Sequence, residues 1–154
     1  MPMDLRERIG TSLKEAMREK DATRLGTLRL INAAIKDQDI AARGDGRGER
    51  VDDQAVLAIL GKMVKQRQES AHAYEEGGRL ELAEREREEM AVIEQFLPRQ
   101  LNDREVAAAI DAAIAETGAT GLRDMGRVMS RLKSKHAGQM DFGAVGAEVK
   151  ARLS

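Results

Sequence analysis

Residues 118–153, GATGLRDMGRVMSRLKSKHAGQMDFGAVGAEVKARL, predict two short helices joined by a glycine turn. In the first helix, the apolar residues are spaced three and four apart and share one face: Met125, Val128, Met129 and Leu132. A second apolar stripe follows, at Phe142, Val145, Val149 and Leu153. Asp141 stands just before this stripe, where a short polar side chain caps a helix N-terminus. The stretch therefore predicts a small unit of amphipathic helices.

The same stretch carries an excess of positive charge. Residues 119–154 contain seven Lys or Arg and three Asp or Glu residues, a net charge of +4, although the whole chain has a net charge of −1. Four cations recur every four residues, away from the apolar stripe, and with Lys133 beside them they form what we call the basic cluster: Arg123, Arg127, Arg131, Lys133 and Lys135. Arginines bind phosphate groups through paired hydrogen bonds. The basic cluster is therefore our candidate nucleic-acid-binding site, and the alternative is the solvated face of an amphipathic helix.

Aromatic side chains are scarce, at 2% of the sequence, and none lies near the basic cluster. Tyr74 falls in a separate predicted helix, and Phe142 belongs to an apolar stripe. Proteins that bind single-stranded RNA stack its bases on aromatic rings. We therefore expect any RNA binding to depend on the phosphate backbone and on shape.

The overall composition favours a helical protein. Of the 154 residues, 42% are hydrophobic, 34% are charged and two are proline. The absence of cysteine excludes disulfides, thiolate catalysis and cysteine-ligated zinc. No apolar run approaches the roughly 20 residues that span a membrane, and the N-terminal MPMDLRERIG lacks the apolar core of a signal peptide. We therefore expect a cytosolic protein without membrane association.

The first 98 residues predict four helices, the last two of which form a long antiparallel hairpin. Apolar spacing places these helices at about 3–19, from Asp21 onward, from Asp52 or Asp53 to Glu76, and from Leu80 to Phe96. Gly77 and Gly78 separate the last two helices by a tight turn. Arg67 and Arg87 interrupt the apolar faces of the hairpin, and a buried arginine needs a carboxylate partner. The candidate partners are Glu69, Glu86, Glu88 and Glu89.

Residues 42–50, ARGDGRGER, interrupt this helical pattern with three closely spaced glycines. A dinucleotide-binding loop requires a third glycine where Glu49 stands and a preceding strand, and a P-loop requires a following Gly-Lys-Ser/Thr. Neither pattern is present, so we expect a mobile connector.

Pro98 marks the predicted boundary between two domains, residues 1–98 and residues 99–154. A proline ends the preceding helix and stiffens the link that follows. The C-terminal domain is expected to contain three short helices. No segment alternates apolar and polar residues, so we predict an all-α protein without a sheet.

Two local signals mark the ends of the first helix of the C-terminal domain. Asn102 and Glu105 have the spacing of a capping box, and Gly118 ends the helix. In the next helix, Gly126 is expected to permit close helix packing beside two methionines of the apolar stripe.

No pattern in the sequence indicates a catalytic, cofactor or metal site. Glu69 and His72 have the Glu-x-x-His spacing of helical di-iron sites, but the other histidine, His136, has no such glutamate. No serine stands in the Gly-x-Ser-x-Gly pattern of a hydrolase nucleophile. We therefore predict no catalytic residues, no cofactor and no metal.

Several ordered motifs resemble the GatB/YqeY family. These are residues 65–70 (KQRQES), 97–101 (LPRQL), 126–129 (GRVM) with 132–133 (LK), and Gly138 followed by Asp141, while residues 27–30 (TLRL) with 33–36 (AAIK) fit the first helical segment. The match spans nearly the whole chain. The chain is similar to stand-alone YqeY-type proteins, since it shows no counterpart of the large catalytic portion of the amidotransferase B subunit.

This resemblance implies an all-helical protein in two parts, related to the helical tail of the B subunit of the tRNA-dependent amidotransferase. That enzyme converts mischarged Glu-tRNA or Asp-tRNA to the Gln or Asn form, and its tail helps to hold tRNA while the chemistry takes place elsewhere. The tail motif is carried here by Gly126, Arg127, Lys133, Gly138 and Asp141. Arg127 stands where many relatives have lysine.

Three functions remain open. The first is a non-catalytic module that binds tRNA or aminoacyl-tRNA through the basic cluster, in connection with tRNA-dependent amidation or translation. The second is a protein–protein adaptor whose hairpin or apolar stripes dock another protein, such as an amidotransferase or translation component. The third, implied by the family resemblance, is carbon–nitrogen ligase activity with glutamine as amide donor, and we expect no such catalysis from this chain alone.

Overall fold

The computed structural model describes residues 4–44 and 51–154, and these residues form α-helices, one short 3₁₀ turn and no strand. The helices are α1 (Leu5–Glu19), α2 (Ala22–Gly44), α3 (Asp53–Glu76), α4 (Leu80–Glu94), α5 (Asp103–Thr117), α6 (Met125–Lys135) and α7 (Phe142–Leu153), and the 3₁₀ turn spans Leu122–Asp124. The all-α prediction is confirmed for the described residues. Of the connector predicted at 42–50, residues 42–44 belong to α2, and the rest lie outside the described residues.

The chain divides into two compact units between Leu97 and Pro98, and each unit has its own hydrophobic core. The first unit holds α1–α4, and its buried side chains include Ile9, Leu28, Ile31, Leu60 and Ile93. The second holds α5–α7, and its buried side chains include Ile110, Val128, Leu132 and Val149. All of these belong to the apolar stripes of the sequence, so burial follows the helical periodicity.

Capping residues fix the helix ends that the sequence predicted. The side chain of Asn102 accepts a hydrogen bond from the backbone N–H of Glu105, whose carboxylate accepts one from the N–H of Asn102. Gly118 ends α5 in the left-handed conformation, at φ 65°, and Gly78 adopts φ 74° in the turn between α3 and α4. Asp141 caps α7 by accepting hydrogen bonds from two backbone N–H groups.

Two arginines of the predicted hairpin form ion pairs between α3 and α4. Arg67 is largely buried and pairs with Glu89, one of its predicted partners, at an Nε–Oε2 distance of 3.1 Å. Arg87 differs from the prediction, since it is half exposed and pairs with Glu75. Of these two pairs, only Arg67–Glu89 therefore offsets the cost of burying a cation.

The expectation that Gly126 permits close helix packing is wrong. Gly126 lies exposed on α6, and a Cβ atom added there would have no neighbour within 4 Å. The glycine that packs against the neighbouring helix is Gly146 of α7, where an added Cβ atom would be in van der Waals contact with Cε of Met129 at 3.7 Å and Cε of Met125 at 3.8 Å. The two methionines of α6 therefore pack over a glycine of the neighbouring helix.

We expect Gly146→Leu to lower the free energy of unfolding by about 1–3 kcal/mol, because the added side chain overpacks the contact with Met125 and Met129. Gly126→Leu is the matched control, and its stability should equal or exceed that of the wild type because a better helix former enters open space. Urea unfolding followed by circular dichroism measures both. A Gly146→Leu protein as stable as the wild type would contradict the packing argument.

Candidate nucleic-acid interface

The basic cluster begins beside a tight turn that Asp124 organises. The buried carboxylate of Asp124 accepts hydrogen bonds from the backbone N–H groups of Thr120 and Gly121, at 2.9 and 3.3 Å. Arg127 donates to this carboxylate at 2.5 Å and to the carbonyl oxygen of Thr117 at 2.9 Å. The N–H of Thr120, followed by the guanidinium of Arg127, lowers the pKa of Asp124 to about 2. Arg127 therefore fixes the turn between α5 and α6 in addition to contributing charge.

Glu116 of α5 holds two further cations of the cluster. Its carboxylate accepts a hydrogen bond from Nε of Arg131 at 2.7 Å and one from Nζ of Lys135 at 3.5 Å. The hydrogen bond from Arg131 is the main cause that lowers the pKa of Glu116 below its ordinary value, so the carboxylate is ionised at neutral pH. The side chains of Arg131, Lys135 and Glu116 are 48%, 51% and 39% exposed. These pairs therefore join α6 to α5 while the cations remain accessible to solvent.

The other two cations of the cluster, Arg123 and Lys133, are both exposed. Arg123 lies in the 3₁₀ turn that precedes α6. Because successive residues of an α-helix are rotated by about 100°, Lys133 lies about 160° from Arg131 around the axis of α6. Lys133 therefore occupies the opposite flank of the helix and not a position beside Arg131 and Lys135.

The structure thus aligns Arg127, Arg131 and Lys135 along one flank of α6, which we call the basic flank. Two residues of this site were not predicted from the sequence. They are Glu116 and Asp124, whose carboxylates hold these cations. Glu116 precedes Arg131 by 15 residues, so no local spacing connects the two. Asp124 and Arg127 are three residues apart, a spacing at which helical side chains meet, so that pair could have been found in the sequence.

The loop after α6 is bound to the segment that precedes α5. Nε2 of Gln100 donates to the carbonyl oxygen of Gly138 at 2.6 Å, and the N–H of Leu101 donates to the carbonyl oxygen of Gln139 at 2.9 Å. The side chain of Gln139 also forms a hydrogen bond with Nδ1 of His136, at 3.0 Å. The end of the LPRQL motif, at Gln100 and Leu101, is therefore in contact with the loop that contains Gly138 within the second unit.

Comparison with known protein families agrees with these motifs. The family model described as Yqey-like protein matches residues 6–153. The chain belongs to the YqeY-like family. The match extends over both compact units, so the resemblance to stand-alone YqeY-type proteins is confirmed.

The YqeY-like chain is also similar to proteins named "Altered inheritance of mitochondria protein 41, mitochondrial". It is 32% identical over 145 residues to the protein of that name from Eremothecium gossypii, covering 92% of this chain and 76% of the relative. The match to the Meyerozyma guilliermondii protein is 38% identical over 85 residues, covering 55% of this chain and 42% of the relative. The match to the Lachancea thermotolerans protein is 33% identical over 85 residues, covering 55% and 43%. The chain thus spans most of the first relative and under half of the other two.

The names of these relatives contradict the expectation of a cytosolic protein, because they designate mitochondrial proteins. That expectation rested on the absence of cysteine and of a secretory signal. Neither feature distinguishes the cytosol from other compartments that keep thiols reduced. Among the described residues, the helices do not combine the length and apolar character needed to cross a membrane.

We expect Asp124→Asn to lower the melting temperature at pH 7, because the amide lacks the charge that binds the N–H of Thr120 and Arg127. Folding lowers the pKa of Asp124 from 3.8 to about 2. The ionised group therefore stabilises the fold above about pH 4, and this stabilisation is lost as the pH falls toward 2. The difference in melting temperature between the variant and the wild type should shrink over this range.

The control for this experiment is Asp103→Asn, which removes an exposed carboxylate from the first turn of α5. It should change the melting temperature less at pH 7 than Asp124→Asn does. Thermal unfolding followed by circular dichroism at several pH values measures both variants. A constant difference between Asp124→Asn and the wild type from pH 7 to pH 2 would contradict the role assigned to Asp124.

Proposed function

We propose that this protein is a non-catalytic helical module that holds tRNA or aminoacyl-tRNA by its phosphate backbone, in connection with tRNA-dependent amidation or translation. The observation that supports this most directly is the basic flank, on which Arg127, Arg131 and Lys135 follow one another at four-residue spacing. Four residues rise about 6 Å along an α-helix, so the three cations extend over about 12 Å. A row of this length is long enough to contact more than one phosphate of a strand.

The internal ion pairs of the basic flank are consistent with phosphate binding. Exposed ion pairs contribute only about 0–1 kcal/mol to stability, whereas a phosphate offers arginine two parallel hydrogen bonds. Arg131 and Lys135, whose partner Glu116 is exposed, therefore exchange a carboxylate for a phosphate at small cost, whereas Arg127 stays bound to the buried Asp124. The resemblance of this unit to the amidotransferase tail, which helps to hold tRNA, supports the same function.

We also propose that residues 1–98 and 99–154 are separate domains. The first would be a four-helix domain with the α3–α4 hairpin, and the second a three-helix domain that resembles the tail of the amidotransferase B subunit. The separate hydrophobic cores on either side of Pro98 support this division.

A fragment of residues 98–154 should accordingly be helical and unfold cooperatively on heating, because its core is formed by its own helices. Circular dichroism during a thermal scan measures both properties. The full chain, scanned under the same conditions, provides the reference helical signal. A fragment that lacks helical signal or a cooperative transition would contradict the two-domain proposal.

The tRNA-holding function predicts that labelled tRNA binds the full chain at low salt and dissociates as salt is added. Each neutralised phosphate contributes a slope of about −0.7 to −0.9 to a plot of log affinity against log salt. Arg131→Gln/Lys135→Gln removes two cations from the basic flank, so it should weaken binding and reduce the magnitude of this slope by about 1–2. Fluorescence anisotropy over a series of salt concentrations measures both quantities.

The matched control is Arg104→Gln/Lys150→Gln, which removes the same amount of charge from exposed positions on α5 and α7. Its affinity and salt slope should remain close to those of the wild type. Lys133→Gln tests the opposite flank of α6 separately. If tRNA fails to bind at low salt, or if both double variants lose the same affinity, phosphate binding by the basic flank is contradicted.

A protein–protein adaptor is the second candidate function, and two exposed apolar side chains of the first unit favour it. Ile40 of α2 is 62% exposed, and Leu80, which begins α4, is 67% exposed. Exposed apolar side chains such as these can pack against a partner protein. Retention of a protein partner after nuclease treatment, together with absent tRNA binding, would favour this function.

A further inference from the structure

A shallow recess lies between α5 and α6 of the second unit and opens to solvent. Three alanines of α5 form one wall: Ala109, Ala112 and Ala113. Arg131 and Lys135 of α6 line the recess together with Glu116. The small alanine side chains leave the space that longer ones would fill, so two cations border an open volume beside an apolar wall.

Glu116 occupies a position at which a helix disfavours negative charge. It is the second-last residue of α5, where the partial negative charge of the helix C-terminus repels a carboxylate. The cations of α6 compensate for this repulsion, since Nε of Arg131 lies 2.7 Å from one carboxylate oxygen and Nζ of Lys135 lies 3.5 Å from the other. The carboxylate thus stands where an external anion would meet both cations.

We infer that this recess is a binding subsite for a phosphate group, which replaces the carboxylate of Glu116 on Arg131 and Lys135. The inference rests on the proposed tRNA-holding function, which supplies the phosphate. It adds the position of the phosphate and the group that competes with it, the carboxylate of Glu116. Because Glu116 is 39% exposed, its displaced carboxylate moves into water. Glu116 therefore lowers the affinity of the wild-type site for phosphate.

A phosphate suits the two cations better than the resident carboxylate does. The contact of Lys135 with Glu116, at 3.5 Å, exceeds the usual length of a strong hydrogen bond. Arg131 uses only Nε in its hydrogen bond with Glu116, although a guanidinium has five N–H donors in a planar fork. A phosphate has tetrahedrally arranged oxygens, so it can accept hydrogen bonds from Arg131 and Lys135 at the same time.

The first test compares two variants that each remove one carboxylate from α5. Glu116→Gln frees Arg131 and Lys135, and the control Asp111→Asn removes one of the two carboxylates that pair with Arg152. Loss of a competing exposed ion pair should tighten the binding of tripolyphosphate to Glu116→Gln by about fivefold. Asp111→Asn should bind tripolyphosphate as the wild type does. Isothermal titration calorimetry with the full chain measures the dissociation constants.

The second test fills the recess without changing its charge. Ala112 is exposed, so Ala112→Leu should fold normally while its side chain occupies the space beside Arg131 and Lys135. Placed in the Glu116→Gln protein, it should abolish the fivefold gain. Ala108→Leu, at an exposed position of α5 that does not line the recess, is the matched control and should retain the gain.

The outcomes distinguish this subsite from the function on which it rests. Equal affinity of Glu116→Gln and Asp111→Asn for tripolyphosphate, or a gain that Ala112→Leu does not remove, would overturn the subsite. The same variants titrated with labelled tRNA identify the source of the phosphate. A gain with tripolyphosphate but no binding of tRNA supports a subsite for free phosphate compounds and removes the tRNA-holding function.

Discussion

Two carboxylates, on Glu116 and Asp124, hold the cations of the basic flank in place, and the geometry of the candidate site depends on them. Arg127, Arg131 and Lys135 follow one another on a flank of α6, and like charges at this spacing repel one another. Glu116 binds that flank to α5, while Asp124 fixes the turn through which α5 leads into α6. The same contacts that stabilise the helices therefore hold the cations in an arrangement that faces solvent and suits an anion.

The helical fold could be predicted from the sequence because its determinants are local. The capping box needs only Asn102 and Glu105, which are three residues apart, and the end of α5 needs only a residue such as Gly118 that adopts positive φ at little cost. The buried residues follow from the apolar periodicity in the same way, since one face of each helix must leave water. Membership of the YqeY-like family was readable from motifs because they occur in order along most of the chain.

The candidate site was less predictable, because its contacts join residues that are distant in sequence. Glu116 meets Arg131 across 15 residues, and in the first unit Arg6 meets Asp39 across 33. Gly146 packs against two methionines of α6, but its local sequence does not distinguish it from an exposed glycine such as Gly126. The separation of Lys133 from the basic flank, in contrast, follows from helical rotation alone and needed no structure. The prediction of a cytosolic location was wrong for another reason, since composition does not distinguish one reducing compartment from another.

In the proposed function, the basic flank of α6 binds phosphate through side chains that carboxylates hold in place. The most direct measurement is a titration of the wild-type protein with tRNA, observed through the NMR signals of the arginine Nε–H groups. We expect the signal of Arg131 to shift at the lowest tRNA concentrations, whereas that of Arg152, which pairs with Asp111 of α5 and with Glu148 of its own helix, changes little. An unchanged Arg131 signal, or equal shifts at both arginines, would contradict phosphate binding by the basic flank.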